Sequence, residues 1–364
     1  MSIKRRDFII GAGGAVAATS VLGMPYIARA ADKLKAAWIL VGPSGDMGYS
    51  YQHDLGRLAV QKELGDRVET HKVESVPEGA DCERVLTQLA NQGYGLIFTT
   101  SFGYMDQTIK VAKNFPKVKF EHATGYKRSA NVATYNIRFY EGRTVQGTLA
   151  GHLSKSGIVG YVGSIPIPEV IMGIDAFTLA FRKIRPDGKV KVIYVNGWFD
   201  PGKEADAAKA LIDQGADIIC QHTDSPAPVQ TAEARGAWAF GQSSDMAKFG
   251  PTHCVTSNVD NWAPYYVERT KMVLDGSWKS TDTWGGLAAG MLSMPTFNSH
   301  VPAAAAADGM KAYNDVKSGA RHPFDGPVVD KSGATKVAAG ANMPDGQIAG
   351  LNWYVQGVEG DLRS

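Results

Sequence analysis

From residue 33 onward, short apolar runs alternate with stretches whose apolar residues recur at helical spacing. Residues 37–41 (AWILV) form a run of buried-strand length ending in a Gly/Pro/Ser turn, and Tyr51, Leu55, Leu58 and Lys62 then share one helical face across residues 51–64. A weaker strand over 67–73 follows. Next come a helix over 82–91 with Val85, Leu86 and Leu89 on one side, a strand over 95–100, a helix over 105–114 and a strand over 118–123. The second half repeats the rhythm, with helices over 141–153, 171–184 and 204–214 and strands over 158–162, 190–195, 217–220 and 237–241. Strands alternating with helices of about 10–15 residues predict parallel sheets with helical crossovers. The expected fold class is α/β, two doubly wound parallel-sheet lobes joined by a multi-strand hinge. Lobe 1 is expected over 33–138 plus 258–288 and lobe 2 over 139–257 plus 289–364. The chain would cross near 136–140, 257–260 and 285–290. The tail beyond Leu292 is expected to pack on lobe 2, with no readable elements of its own.

Composition narrows the classes. At 364 residues the chain suits two domains of roughly 150 residues each. With 38 basic and 36 acidic side chains the net charge is only +2, which argues against a broad nucleic-acid surface. No apolar run of about 20 residues follows the N-terminal region, so no stable membrane insertion is expected. Lys4, Arg5 and Arg6, an apolar stretch over 8–22 and the small-x-small triplet Ala28-Arg29-Ala30 mark residues 1–30 as an export signal peptide. Arg5-Arg6-Asp7-Phe8-Ile9 is similar to a twin-arginine signal, and the expected location is the periplasm. No cysteine sits at the expected cleavage point, which argues against a lipid anchor there. Cys82, Cys220 and Cys254 lack C-x-x-C spacing, so no metal site and no obligatory disulfide are expected.

In doubly wound sheets ligands lie beyond the carboxyl ends of the strands, so the residues after each strand are the candidates. After the first come three glycines with Tyr49, Ser50 and Tyr51; the tyrosines either pack on their own lobe or offer an aromatic platform. Phe102 follows the 95–100 strand. Thr124 follows the 118–123 strand, which itself carries Glu121 and His122. Asn196 and Trp198 follow the 190–195 strand, and Ser243 and Asp245 the 237–241 strand. A lone His such as His122 is more often a satisfied interior side chain than a base, though its place beside Glu121 keeps a binding role open, and Asp245 reads equally as a helix cap. No dinucleotide fingerprint, P-loop, G-x-S-x-G elbow, H-E-x-x-H or zinc-deaminase signature occurs, so neither an enzyme nor a cofactor is indicated.

These pieces in order resemble the basic membrane protein (BMP) family of substrate-binding proteins for ABC transporters, similar in fold to type I periplasmic proteins. The resemblance rests on residues 45–52 (GDMGYSYQ), Asn131-Val132-Ala133 with Glu141-Gly142 through Gly151, Gly160-Tyr161-Val162-Gly163 with Ile167-Pro168, Trp198-Phe199-Asp200-Pro201, and Gln214-Gly215-Ala216-Asp217. It implies a ligand-capturing protein that hands its cargo to membrane transporter subunits and is expected to be a monomer. Members that bind purine nucleosides hold the base between two aromatic rings, and the matching positions are Tyr49 and Trp198. Ser243 stands where such members carry a ribose-binding Asp, and Asp260 where they carry a Lys. Both departures favour a purine base such as adenine over a nucleoside, with Glu121, His122, Thr124, Asn196, Ser243 and Asp245 as candidate edge partners. A sugar or nucleoside ligand, or a role as the ligand-sensing component of a membrane signalling protein, is the alternative.

Overall fold

The computed structural model describes residues 33–362; the export signal expected over 1–30 lies outside them. The first lobe is built from β1 (Leu34–Ile39), α1 (Tyr49–Leu64), β2 (Val68–Val73), α2 (Ala80–Asn91), β3 (Leu96–Thr99), α3 (Met105–Asn114), β4 (Lys119–Ala123) and β5 (Val132–Ile137). The second contains α4 (Phe139–Leu153), β6 (Ile158–Gly163), α5 (Pro168–Ile184), β7 (Lys189–Tyr194), α6 (Pro201–Asp213), β8 (Ile218–His222), α7 (Ala227–Arg235), β9 (Trp238–Gly241) and β10 (Cys254–Ser257). The remainder comprises β11 (Val259–Asp260), α8 (Ala263–Asp275), β12 (Asp282–Gly285), β13 (Leu292–Ser293), α9 (Ala303–Ser318), β14 (Val328–Val329), β15 (Thr335–Val337), α10 (Asp345–Ile348) and β16 (Val358–Glu359).

Two six-stranded sheets result, ordered β2-β1-β3-β4-β5-β12 and β16-β7-β6-β8-β9-β10, with every neighbouring pair parallel. The α/β doubly wound expectation is therefore met. The strand order reverses beside β1 in one sheet and beside β6 in the other, which opens a crevice at the carboxyl edge of each.

Both sheets are buried on two faces, and the packing explains why. In the first lobe Trp38 of β1 stacks on Phe98 of β3, with ring centroids 4.5 Å apart and planes 12° apart, while Tyr266 of α8 meets it edge-on at 5.5 Å. Burying such rings contributes about 1.5–3 kcal/mol each and fastens α8, distant in sequence, to this lobe. In the second lobe α4 lies tight against α5: a Cβ at Gly147 would come within 2.2 Å of the Phe177 carbonyl oxygen, so only glycine permits the approach.

The chain passes between the lobes at β5–α4, at β10–β11 and at β12–β13, and these segments are bonded side by side. Arg138 N donates to Gly285 O (2.8 Å), Asn258 Nδ2 donates to Phe139 O (3.1 Å), and β11 pairs with β13. Beyond β13 the chain returns to the second lobe. Helix α9 packs on α4, β16 becomes an edge strand beside β7, Tyr354 Oη meets Tyr194 Oη at 2.6 Å, and Val355 N donates to Asp175 Oδ1 at 3.0 Å.

Candidate functional site

The loops beyond the carboxyl ends of both sheets meet around a small cavity. Val41 and Tyr49 come from the β1–α1 connection, Thr100, Ser101 and Phe102 from beyond β3, and Thr124 from beyond β4. The second lobe supplies Glu169 at the start of α5, Trp198 after β7, His222 and Asp224 at the end of β8, and Gln242 and Ser243 after β9. A wider cleft continues outward past Phe102, Thr124 and Glu169.

Local chemistry fixes each wall. Gly48, at φ 95°, lets the chain turn into α1; its N–H is 2.9 Å from Ser244 Oγ of the opposite lobe, and a Cβ there would sit 2.8 Å from Asp224 O. Trp198 is held by the segment that follows it. Asp200 caps α6 by accepting from Lys203 N (3.1 Å), Pro201 opens the helix, and Asp224 N donates to Trp198 O (3.0 Å). Glu204 ties the β7 and β8 loops together, accepting from Asp200 N at 2.9 Å and from Ser225 Oγ at 2.6 Å. Arg143, fully buried on α4, donates to Gln242 Oε1, to Gln221 O (2.5 Å) and to Gln146 Oε1 (2.6 Å), which fixes the cavity floor.

Two lining residues carry backbone strain. Thr124 has φ 63° and Ser243 φ 62°, and non-glycine residues held there cost about 1–3 kcal/mol each. Thr124 stands directly after β4 and Ser243 two residues beyond β9, where the turns swing their side chains inward. The cavity also holds buried polar atoms with no partner among the described residues: Tyr49 Oη, Thr124 Oγ1, Ser243 Oγ and His222 Nδ1. Burial drives the Tyr49 phenol well above its ordinary range, and the Glu169 charge adds to that. Burial also lowers the His222 pKa against the raising effect of Glu169, whose Oε1 lies 3.5 Å from Nε2. Among the described residues, no lysine or arginine lines the space.

Of the sequence-predicted residues, Tyr49, Phe102, Thr124, Trp198 and Ser243 meet at the cavity. The others are engaged elsewhere. Ser50 Oγ accepts from Gly42 N (3.1 Å), closing the turn before α1, and Tyr51 lies on α1 outside the lining. Glu121 is buried under α8, where Arg269 Nε, Tyr265 Oη and Trp278 Nε1 all donate to it at 2.6 Å. His122, on the opposite face of the sheet, faces Thr99 Oγ1 at 2.9 Å, and burial pushes its pKa down to about 3. Alternation along β4 sends these two side chains to opposite faces of the sheet, each beneath a helix, so it is Thr124, past the strand end, that reaches the cavity. Asn196 is exposed at φ 55°, and Asp245 accepts from Ala247 N (3.0 Å) as a local cap.

Residues 33–316 match the model of the Bmp family, ABC transporter substrate-binding protein PnrA-like. The chain belongs to this family. The Bmp protein is 53% identical over 335 residues to a purine-binding protein of Brucella abortus, covering 92% of this chain and 95% of that one. It is 39% identical over 260 residues to a putative ABC transporter glucose-binding protein of Haloferax volcanii, covering 71% of this chain and 66% of that one. Among solved structures it is similar to a solute-binding protein of an ABC transporter system from Conexibacter woesei, with a TM-score of 0.63, 20% identity and coverage of 79% of this chain and 98% of that one. That likeness shows the periplasmic-binding fold. The family is one of non-catalytic substrate-binding proteins.

Glu169, His222, Asp224 and Gln242 also line the cavity, although they are not among the residues that the sequence pattern singles out. His222 and Asp224 lie beyond the visible apolar run, which stops at Cys220, two residues short of the end of β8. Glu169 lay before the predicted start of its helix, although Pro168 at the first helical position signalled the earlier start.

Proposed function

We propose that this Bmp protein is the ligand-capturing component of an ABC importer and takes a purine, a nucleobase such as adenine ahead of a nucleoside, between Tyr49 and Trp198. The observation that carries the reading is the arrival of these two aromatic residues, one from each lobe, at the same small cavity. A flat heterocycle stacked on an aromatic ring gains roughly 1–3 kcal/mol per contact. Two faces with several edge hydrogen bonds suffice for micromolar affinity, about −8 kcal/mol. The unpartnered Thr124 and Ser243 hydroxyls both donate and accept. With His222 Nε2 turned to Glu169, its Nδ1 is an acceptor for a ligand N–H. An amino-substituted ring offers matching donors, and Ser243 lacks the carboxylate that would hold ribose hydroxyls. The 53% identity to a protein named purine-binding supports the same ligand class.

Ligand bridging both lobes favours the closed form because only that form makes every contact. Membrane transporter subunits would then receive the closed protein, in the periplasm if residues 1–30 act as the export signal and the twin-arginine pair directs them. The second reading, a sugar ligand, rests on the resemblance to the protein named glucose-binding, since aromatic rings also stack on pyranoses. Titration calorimetry with adenine, guanine, adenosine, inosine and glucose decides. Adenine is expected to bind at micromolar Kd or better, with the nucleosides at least tenfold weaker. Tight nucleoside or glucose binding without base binding would overturn the assignment.

A further inference from the structure

The family match ends at residue 316, yet the chain continues through α10 and β16. Those residues return to the hinge. Arg138, on the first crossing, forms a two-pronged ion pair with Asp345 of α10, Nη1 to Oδ1 at 2.7 Å and Nη2 to Oδ2 at 2.5 Å. The same guanidinium donates from Nε to Trp284 O on the third crossing (3.0 Å) and lies 4.4 Å from the Trp284 ring centre. It also donates to Tyr140 Oη. One side chain thus joins two of the three crossings to a segment anchored in the second lobe through β16, Tyr354 and Val355. Beside Asp345, Gly346, Ala349 and Gly350 face Phe102, Thr124 and Tyr126 of the first lobe across the outer cleft.

We propose that Asp345 is a positioning residue which, by gripping Arg138, makes residues 317–362 a clamp on the closed hinge and slows ligand release. Opening rotates the lobes about the crossings and changes the relative placement of Arg138 and Trp284. Asp345 moves with the second lobe. A planar guanidinium held on two edges and one face resists that rotation more than a single contact would. The effect is kinetic first: the ligand touches neither residue, so ring stacking and edge bonds persist while the closed state becomes shorter-lived.

The clamp rests on ligand capture between the lobes, so its test reads release separately from binding. In the full-length chain, adenine release is followed by stopped-flow tryptophan fluorescence after mixing with excess competitor, for wild type, Asp345→Ala, Arg138→Lys and Glu359→Ala. Glu359 pairs with Lys189 at 2.7 Å on the β16 edge, in the same segment but away from the hinge. Asp345→Ala and Arg138→Lys are expected to release adenine about three- to tenfold faster, with Glu359→Ala within about twofold of wild type. Equal acceleration in Glu359→Ala would show general loosening of the segment and overturn the clamp, as would unchanged release in Asp345→Ala. If wild type binds no purine, the ligand reading fails, and the clamp is then judged by solution scattering. A radius of gyration larger in Asp345→Ala than in wild type supports the clamp, and an identical one rejects it.

Discussion

Tyr49 and Trp198 bear on the ligand directly, and their truncation separates stacking from edge recognition. Tyr49→Ala or Trp198→Ala removes one face of the sandwich, so each is expected to weaken adenine binding about 5- to 150-fold, the equivalent of roughly 1–3 kcal/mol, as read by calorimetry. Neither is a fully buried core residue, so the melting temperature without ligand should change little. Thr124 makes the opposite demand. Its φ of 63° is unfavourable for a β-branched residue, and Thr124→Gly relieves that strain while deleting a hydroxyl that lines the cavity. The variant is expected to melt no lower than wild type and to bind adenine about tenfold more weakly. A threonine kept in that conformation at a ligand-facing position is stability given up for placement of one oxygen.

Between elements, the β1–α1 loop is fastened to the loop after β9 across the cleft. Ser244 Oγ accepts from Gly48 N (2.9 Å) and Gln52 Nε2 (3.0 Å) and lies 3.2 Å from Gly48 O. Ser244 and Gly48 are buried in this closed arrangement, so Ser244→Ala strands the Gly48 N–H only when the lobes are shut. A buried unsatisfied donor costs about 1–3 kcal/mol, and adenine affinity is expected to fall about tenfold. Nearby, Lys248 Nζ and Asp46 Oδ2 are 2.7 Å apart but both side chains are exposed. Lys248→Ala should change affinity less than about twofold in 150 mM salt. Calorimetry on the two variants distinguishes a buried latch from a solvated one. The same contrast governs what could be read from the sequence. Strands β1, β3 and β6 are continuous apolar runs and were legible. In contrast β5 (VATYNI), β10 (CVTS) and β12 (DTWG) mix hydroxyls and aromatics, and pairing rather than composition makes them strands. Helix α8 carries Tyr265, Tyr266 and Arg269 inward, because aromatic stacking and the Glu121 ion pair replace an aliphatic stripe. The residues after strands were legible as site candidates; which of them turn inward depended on strand ends set one or two residues away from the visible apolar run.

Over the whole molecule a near-neutral surface encloses an acidic interior at the cleft. Glu169 and Asp224 line the cavity, and Asp260 lies buried behind it. Burial, helped by the charges of Asp224 and Glu169, holds the Asp260 pKa well above its ordinary value; Ser243 and Arg143 pull the other way. Asp224 is raised as well, by burial and then by Glu204 and Glu169. An aspartate that holds its proton more tightly when folded leaves stability fully present below its unfolded pKa, about 4, and loses it as pH rises through the folded value. Asp260→Asn keeps the shape and cannot ionise, so it removes that dependence at its own position. The ligand-free variant is expected to match wild type at pH 4 and to exceed it by about 1–3 kcal/mol at pH 8, measured by urea unfolding at both values. A pH-independent difference between the two proteins would mean that Asp260 is ionised in the folded chain throughout this range. The cleft would then carry a full negative charge beside the cavity and would favour protonated purines, a preference that adenine calorimetry at pH 4 and pH 7 would expose.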